Sequence, residues 1–280
     1  MVRVGLVGCG TIGSAMARAL QRNYGAVAKL TALHDIDPAR ASALARRFHP
    51  APSVVAFRTL FRQCDLVVEA ASMEAAPGVV MQALRAHRSV LVMSVGGLLR
   101  DQAWEKVARR SRGKVYLASG ALIGLDGVKA MAVGRIRHAR LTIRKPPRAL
   151  ASAPYVRNRR LHLERLKRPS VIFEGAPEAA VRAFPQNTNI AATLTLALRY
   201  GYNSGHALMK RSRAVRPKIR VVADPTIRRN VHELEVEGDC GCIQCRVESV
   251  PSVNPKTSEL AVRSAIATLD RLFGSISIGT

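Results

Sequence analysis

Residues 8–13 read Gly-Cys-Gly-Thr-Ile-Gly. Gly8 permits a tight turn, Gly10 lets bare backbone approach a pyrophosphate, and Gly13 lets a helix pack closely on a strand. The chemistry served is phosphate binding, with the amides of Thr11, Ile12 and Gly13 as donors at a helix N-terminus. Asp35 follows 22 residues after the third glycine, where a ribose diol is held and a carboxylate repels a 2′-phosphate. NAD is the expected cofactor. NADP is the alternative, because Arg40 lies near enough to soften that preference.

A dehydrogenase also needs a group that gives or takes a proton while hydride moves, and histidine is the usual choice near neutral pH. Seven histidines compete, and spacing does not choose among them. His232 lies in Val231–Glu237, a stretch that alternates like a strand with Glu233, Glu235 and Glu237 on one face. Val231, Leu234 and Val236 are read as its inside, and His232 and Asn230 are set on the acidic face unless a bulge intervenes. Cys240, Cys242 and Cys245 lack a fourth ligand and make a poor zinc set, so no metal is expected. Five cysteines in 280 residues fit reduced thiols better than a disulfide framework.

The elements that must carry these residues follow from hydrophobic pattern. Val2–Val7 is an apolar run of the kind a buried parallel strand needs, and Ser14–Leu20 continues the helix opened by the glycines. Strands are then expected at 30–34, 65–70, 89–93 and 114–118, with helices at 74–85 and 101–110. Strands alternating with helices specify a doubly wound parallel sheet, with ligands at the carboxyl ends of its strands. Ala71-Ser72 and Ser94-Val95-Gly96-Gly97 should edge that cleft. Beyond residue 118 the pattern reads as antiparallel, with strands at 140–144, 171–173, 219–222 and 231–237.

Four further segments carry a resemblance: Ala118–Gly127, Leu141–Pro147, Phe184–Leu194 and Ala223-Asp224-Pro225 running to Glu233, with Asn254–Ser258 closing the set. Together, and in order, they resemble the L-aspartate dehydrogenase family, and with the N-terminal sheet the resemblance covers nearly the whole chain. It implies an α/β fold: a Rossmann doubly wound parallel sheet plus a second α/β substrate domain with a mixed or antiparallel sheet. The expected domains are 1–118 with 254–280, and 119–253. The implied reaction converts aspartate and NAD(P)+ to iminoaspartate, which hydrolyses to oxaloacetate and ammonia or feeds NAD biosynthesis. The family's catalytic histidine falls on His232, Asn230 matches a polar neighbour placed at the substrate, and cofactor contacts fall on Ala121 and Asn189. Arg144 and Lys145 are candidate partners for the two carboxylates of a dicarboxylate amino acid.

Rival enzymes are set aside by what is missing. Ser119-Gly120-Ala121 offers no cysteine nucleophile for a semialdehyde dehydrogenase, and Met93-Ser94-Val95 stands where sugar dehydrogenases place Glu-Lys-Pro. The alternatives that stay open are a related Rossmann amino-acid dehydrogenase with another substrate and, from another class, a catalytically silent NAD-binding regulator with nucleic-acid affinity. Net charge is +25, with +10 in residues 137–168 and +8 in 199–229, and both stretches read as loops or insertions. Aromatics make up only 4% of the chain and no DNA-reading module appears, so a solvated basic surface is favoured over a nucleic-acid site. No apolar run reaches the ~18 residues of a membrane helix and the N-terminus lacks signal-peptide character. A cytoplasmic homodimer or homotetramer, off the membrane, is expected.

Overall fold

A computed structural model describes residues 1–185, 188–200, 215–250, 258–276 and 278. The chain divides into two compact units, one of residues 1–120 and 262–278, the other beginning at Ala121 and running to Ala261.

The first unit is built on β1 (Val2–Val7), β2 (Ala28–His34), β3 (Ser53–Val54), β4 (Leu66–Glu69), β5 (Ser89–Val92) and β6 (Val115–Leu117). All pair in parallel, in the order β3-β2-β1-β4-β5-β6. The chain leaves β1 in one direction for β2 and β3 and then restarts at β4 on its other side, so the topological switch lies between β1 and β4. The connections hold α1 (Thr11–Tyr24), α2 (Pro38–Ala45), α3 (Phe57–Leu60), α4 (Ala76–Arg85), α5 (Val95–Arg100) and α6 (Trp104–Ala108). Buried side chains such as Val4, Leu6, Met16, Leu20, Leu33, Val68 and Leu91 make the core. The returning segment adds Ala265 and Leu269 to it and belongs to the unit from Val262 on; the expected boundary at residue 254 lies outside the described residues.

The second unit holds β7 (Ile136–Lys145), β8 (Ser170–Gly175), β9 (Lys218–Ala223), β10 (Asn230–Gly238) and β11 (Gly241–Ser249), in the order β11-β10-β7-β9-β8. The sheet is mixed: β7 and β9 run parallel, and the other pairs are antiparallel. Its helices are α7 (Leu125–Met131), α8 (Pro147–Leu150), α9 (Pro154–Asn158), α10 (Pro177–Ala183) and α11 (Asn189–Tyr200), while α12 (Glu259–Phe273) belongs to the first unit from Val262 on. Val128, Met131, Phe184, Ile190 and Leu194 from the helical side share a core with Leu141, Ile143, Val221, Leu234 and Val236 of the sheet.

The basic stretch 137–168 is not a loop or insertion. Its first part is β7, the central strand, in which Arg140 and Arg144 alternate with the buried Ala139, Leu141 and Ile143. Its remainder contributes Leu150, Val156 and Leu163 to the core. In the second stretch, Lys218 and Arg220 belong to β9; residues 201–214 lie outside the described part. No helix among the described residues is long and apolar enough to cross a membrane.

Candidate functional site

At the carboxyl ends of the parallel strands, the glycines do what their spacing requires. Gly8 adopts a φ of +96°, and a Cβ there would stand 2.5 Å from Ala70 backbone atoms. A Cβ on Gly13 would collide with the Gly8 carbonyl, whereas one on Gly10 would meet nothing within 4 Å. Gly10 is thus bare backbone facing open space, at the N-cap of α1, which has no side-chain cap. Thr11 is exposed and Ile12 half-buried at the start of that helix. These residues fit the phosphates of a dinucleotide.

Asp35 follows β2. One carboxylate oxygen accepts the Cys9 amide at 2.7 Å and the other accepts the Asp37 amide at 2.9 Å, so the side chain is held in place with acceptor capacity to spare. Arg40 pairs with Asp37 at 3.3 Å. Burial, with the neighbouring Asp35 charge, pushes the Cys9 thiol up to about 12, which makes it unreactive. All five cysteines are free.

Glu69, the last residue of β4, is fully buried. Its carboxylate accepts the Ala71 amide and the Ser94 amide, each at 2.9 Å, through different oxygens. It thereby ties the loop after β4 to the loop after β5, beside the switch point. Burial pushes its carboxyl up, against these hydrogen bonds, which favour the charged form. Ala71 and Ser72 are exposed at this edge, and Ser72 Oγ accepts the Ala75 amide at 3.2 Å. Val95-Gly96-Gly97 belongs to α5, with Ser94 as its N-cap residue.

In the second unit, the register of β10 corrects the expected facing of His232. Pairing with β7 and β11 is regular from Val231 to Glu237, and the bulge falls after it. His232 therefore shares the inner face with Leu234 and Val236, opposite the glutamates, and is only 6% exposed. Val231 is buried although it lies on the glutamate face, which obscures the alternation in the sequence. Asn230 is inward and buried, and its register partner on β11 is the buried Ser249. Lys145 ends β7 on the same face, two residues beyond Ile143, which lies opposite His232.

This cluster is electrostatically stressed. Burial first, and then the Lys145 charge, push the His232 imidazole down to about 3, partly offset by a backbone hydrogen bond to Ala121. Nδ1 has no hydrogen-bond partner among the described residues, so the bond runs from Nε2–H to the Ala121 carbonyl and fixes the tautomer. The Nδ1 lone pair is left free to accept. Ser249 Oγ is likewise buried without a partner, and burial alone pulls the Lys145 ammonium down to about 8.

Arg144 departs from its expected place. Strand alternation turns it to the opposite face from Lys145 and His232, where it pairs with Asp224 at 3.1 Å and Glu233 at 3.4 Å. Burial favours the neutral form of Asp224, but hydrogen bonds from Thr226 and Arg144 outweigh it and hold the carboxyl below the usual range. Asn189 is exposed in the first turn of α11, and Thr188 before it donates its hydroxyl to the Phe184 carbonyl. Asn187 lies outside the described residues. No metal-ligating cluster exists among the described residues.

The family model for the C-terminal part of aspartate dehydrogenase matches residues 126–272, and that for the NAD-binding domain of homoserine dehydrogenase matches residues 8–118. The L-aspartate dehydrogenase of Methanosarcina barkeri is 40% identical over the whole of both chains. The chain belongs to the aspartate dehydrogenase family. A Bordetella bronchiseptica relative, L-aspartate dehydrogenase 3, is 36% identical over 99% of this chain and 97% of its own. The crystal structure of aspartate dehydrogenase from Thermotoga maritima shares the fold, with a TM-score of 0.71 at 22% identity over all of both chains.

In this family member, two residues that sequence reasoning passed over bear on the site. The signal for Glu69 was a lone carboxylate closing an apolar strand. Ser249 sits on the edge strand β11, whose CIQCRVES run is too polar to read as a strand.

Proposed function

We propose that the protein is an NAD(P)-dependent oxidoreductase acting on the amino group of L-aspartate. It yields iminoaspartate, which hydrolyses to oxaloacetate and ammonia, or runs the reverse amination. The observation that carries this reading is the inner-face cluster of the second unit, where a neutral imidazole with a free Nδ1 lone pair stands beside the buried ammonium of Lys145. A dicarboxylate amino acid matches such a face, whose buried cation and polar groups suit carboxylates.

The glycine turn, with Gly8, Gly10, Thr11, Ile12 and Gly13, holds the cofactor pyrophosphate. Asp35 takes the ribose diol, and Ala71 and Ser72 line the adjoining edge. The family's cofactor contacts on Ala121 and Asn189 complete the set. When bound, the nicotinamide accepts hydride from the substrate Cα. Asp35 sets the preference for NAD over NADP, since its carboxylate is fixed and Arg40 is engaged by Asp37. Asn230 holds a substrate carboxylate and Lys145 faces the amino-acid head of the substrate; the uncharged form of Lys145 no longer depresses His232. His232 Nδ1 then takes the proton of the water that attacks the imine. Arg144 steadies the outer face through Asp224 and Glu233 and has no place at the substrate.

On this reading the enzyme works in the cytoplasm as a homodimer or homotetramer, and its iminoaspartate feeds NAD biosynthesis. The deciding assay supplies L-aspartate with NAD or NADP and follows absorbance of the reduced nicotinamide. Aspartate-dependent reduction, faster with NAD, is expected. No reduction with aspartate, and no oxidation with oxaloacetate plus ammonia, would overturn the reading.

A further inference from the structure

Resting on that reading, we infer that Lys145 is a catalytic residue, the proton acceptor that takes a proton from the substrate's α-ammonium group before the Cα–H bond breaks. The chemistry demands such a group. An ammonium nitrogen has no lone pair to form the C=N bond, so one N–H must be lost first, to a base that is uncharged when it acts.

The inner face offers few candidates. His232 has its Nε2–H committed to the Ala121 carbonyl and only Nδ1 available, and that lone pair serves the attacking water. Asn230 and Ser249 carry no basic lone pair. Asp224 is at the end of β9, but one oxygen accepts Thr226 and the other Arg144. Glu233 lies on the outer face, between Arg144 and Arg246. Of the neighbouring strands, β9 contributes Ala223 to this face and β10 contributes His232 and Asn230, so His232 is the titratable side chain they turn toward Lys145. The core residues from α7 and α11, among them Val128, Met131, Ile190 and Leu194, are apolar.

Lys145 itself is placed for the work. Its backbone carbonyl accepts the Asp224 amide at 2.9 Å, which fixes the strand end. Its side chain is 6% exposed, and burial alone gives it a value of about 8, so a useful fraction is free amine near neutral pH. The balance then closes. The ammonium N–H bond breaks, a bond from the proton to Lys145 Nζ forms, and the electron pair stays on the substrate nitrogen. As Cα–H leaves as hydride, that pair becomes the C=N π bond. Water adds to carbon and gives one proton to His232 Nδ1, and Lys145 returns its proton to the nitrogen of the resulting carbinolamine. The C–N bond then breaks as the hydroxyl oxygen forms C=O, the hydroxyl proton leaves with the ammonia as ammonium, and the proton on His232 passes to solvent.

The experiment separates a proton acceptor from a mere carboxylate partner. Lys145→Arg keeps the cation but removes the accessible free base. Its kcat on aspartate should fall by about 10²-fold or more across roughly pH 6 to 9, while affinity for succinate, a dicarboxylate without an amine, stays within about threefold. Wild-type kcat/KM should rise with pH and level off above about 8, and this limb should be missing in Lys145→Arg. Ethylamine should restore part of the activity of Lys145→Ala. Thermal unfolding and NADH fluorescence confirm that the variants fold, and Lys145→Arg alone suffices if Lys145→Ala does not. With nine lysines in the chain, 15N spectra of lysine-labelled protein, assigned by loss of one signal in Lys145→Arg, read the titration directly. A Lys145→Arg enzyme within about threefold of wild type, or an amine titrating at its ordinary value, overturns the role and leaves the aspartate reading standing. Wild-type enzyme inert toward aspartate overturns both.

Discussion

The carboxyl ends of β1, β4 and β5 and the Asn230 end of β10 are two polar regions built on opposite rules. In the first, the carboxylates already have their partners: the buried Glu69 accepts two amides and the half-buried Asp35 accepts two more. In the second, His232 Nδ1 and Ser249 Oγ are buried without partners among the described residues, and an imidazole and an ammonium are pushed toward neutrality together. A satisfied network holds its shape whether or not a ligand is present. An unsatisfied one costs stability, about 1–3 kcal/mol for each orphaned group, and that cost is relieved by a ligand of matching polarity. The first region is a preformed frame, and on the function proposed above the second is the reactive centre.

The sharpest way to break this contrast is at His232. His232→Ala should lower turnover by about 10³-fold and leave NAD affinity within about twofold, measured by steady-state kinetics and by fluorescence titration. If both quantities fall together, the imidazole supports the fold of the frame and the two regions are not separable in function.

The reverse test lies at Glu69. Glu69→Ala leaves the Ala71 and Ser94 amides without their acceptor, at about 1–3 kcal/mol each, so unfolding free energy should drop by roughly 2–6 kcal/mol. The two loops lose their tie, and KM for NAD should rise about tenfold with a smaller change in kcat. Denaturant titration and kinetics check both, and an unchanged stability would show that the frame does not depend on this carboxylate.

Acid should act on the second region more than on its neighbour. His232 is held near 3 in the folded chain against an ordinary 6.5, so on acidification the unfolded state takes up a proton that the folded state refuses. The stability this group contributes is present above about 6.5 and drains away as the pH falls toward about 3. Lys145 works in the same sense at higher pH, between 10.5 and about 8. His232→Asn should flatten the acid limb of stability by a few kcal/mol, which thermal unfolding across pH reads out. An acid limb identical to that of wild type would place its origin elsewhere.

The two regions also differed in how far the sequence revealed them. Buried parallel strands leave unbroken apolar runs, and a Gly8 with positive φ beside a Gly13 that touches backbone leaves glycines that no other residue replaces. The frame was therefore readable up to Glu69, whose two amide partners come together only in the fold. The other sheet hid itself. On β7, Arg140 and Arg144 gave a central strand the composition of a surface loop. On β10, the buried Val231 blurred the face assignment of His232. On β11, an edge strand with one wet face carried too few apolar residues to be seen, and Ser249 went with it. Resemblance named His232, but only register shows which face it uses and that Arg144 turns away from it.

The smallest expected effect is the one that separates the two rules most cleanly, and it lies at Ser249. Its hydroxyl is as buried as the Glu69 carboxylate, at 4% against 0% exposure, but it has no partner to lose. Ser249→Ala removes a polar atom that is already desolvated without compensation, so unfolding free energy should stay constant or rise, by less than about 1 kcal/mol. If the hydroxyl instead serves a bound carboxylate, KM for aspartate should increase by roughly three- to tenfold with kcat nearly unchanged, because a contact equal in ground and transition states affects binding alone. A clear loss of stability in Ser249→Ala would mean that the hydroxyl is bonded in the folded protein, and the second region would then be another satisfied network rather than a centre awaiting its substrate.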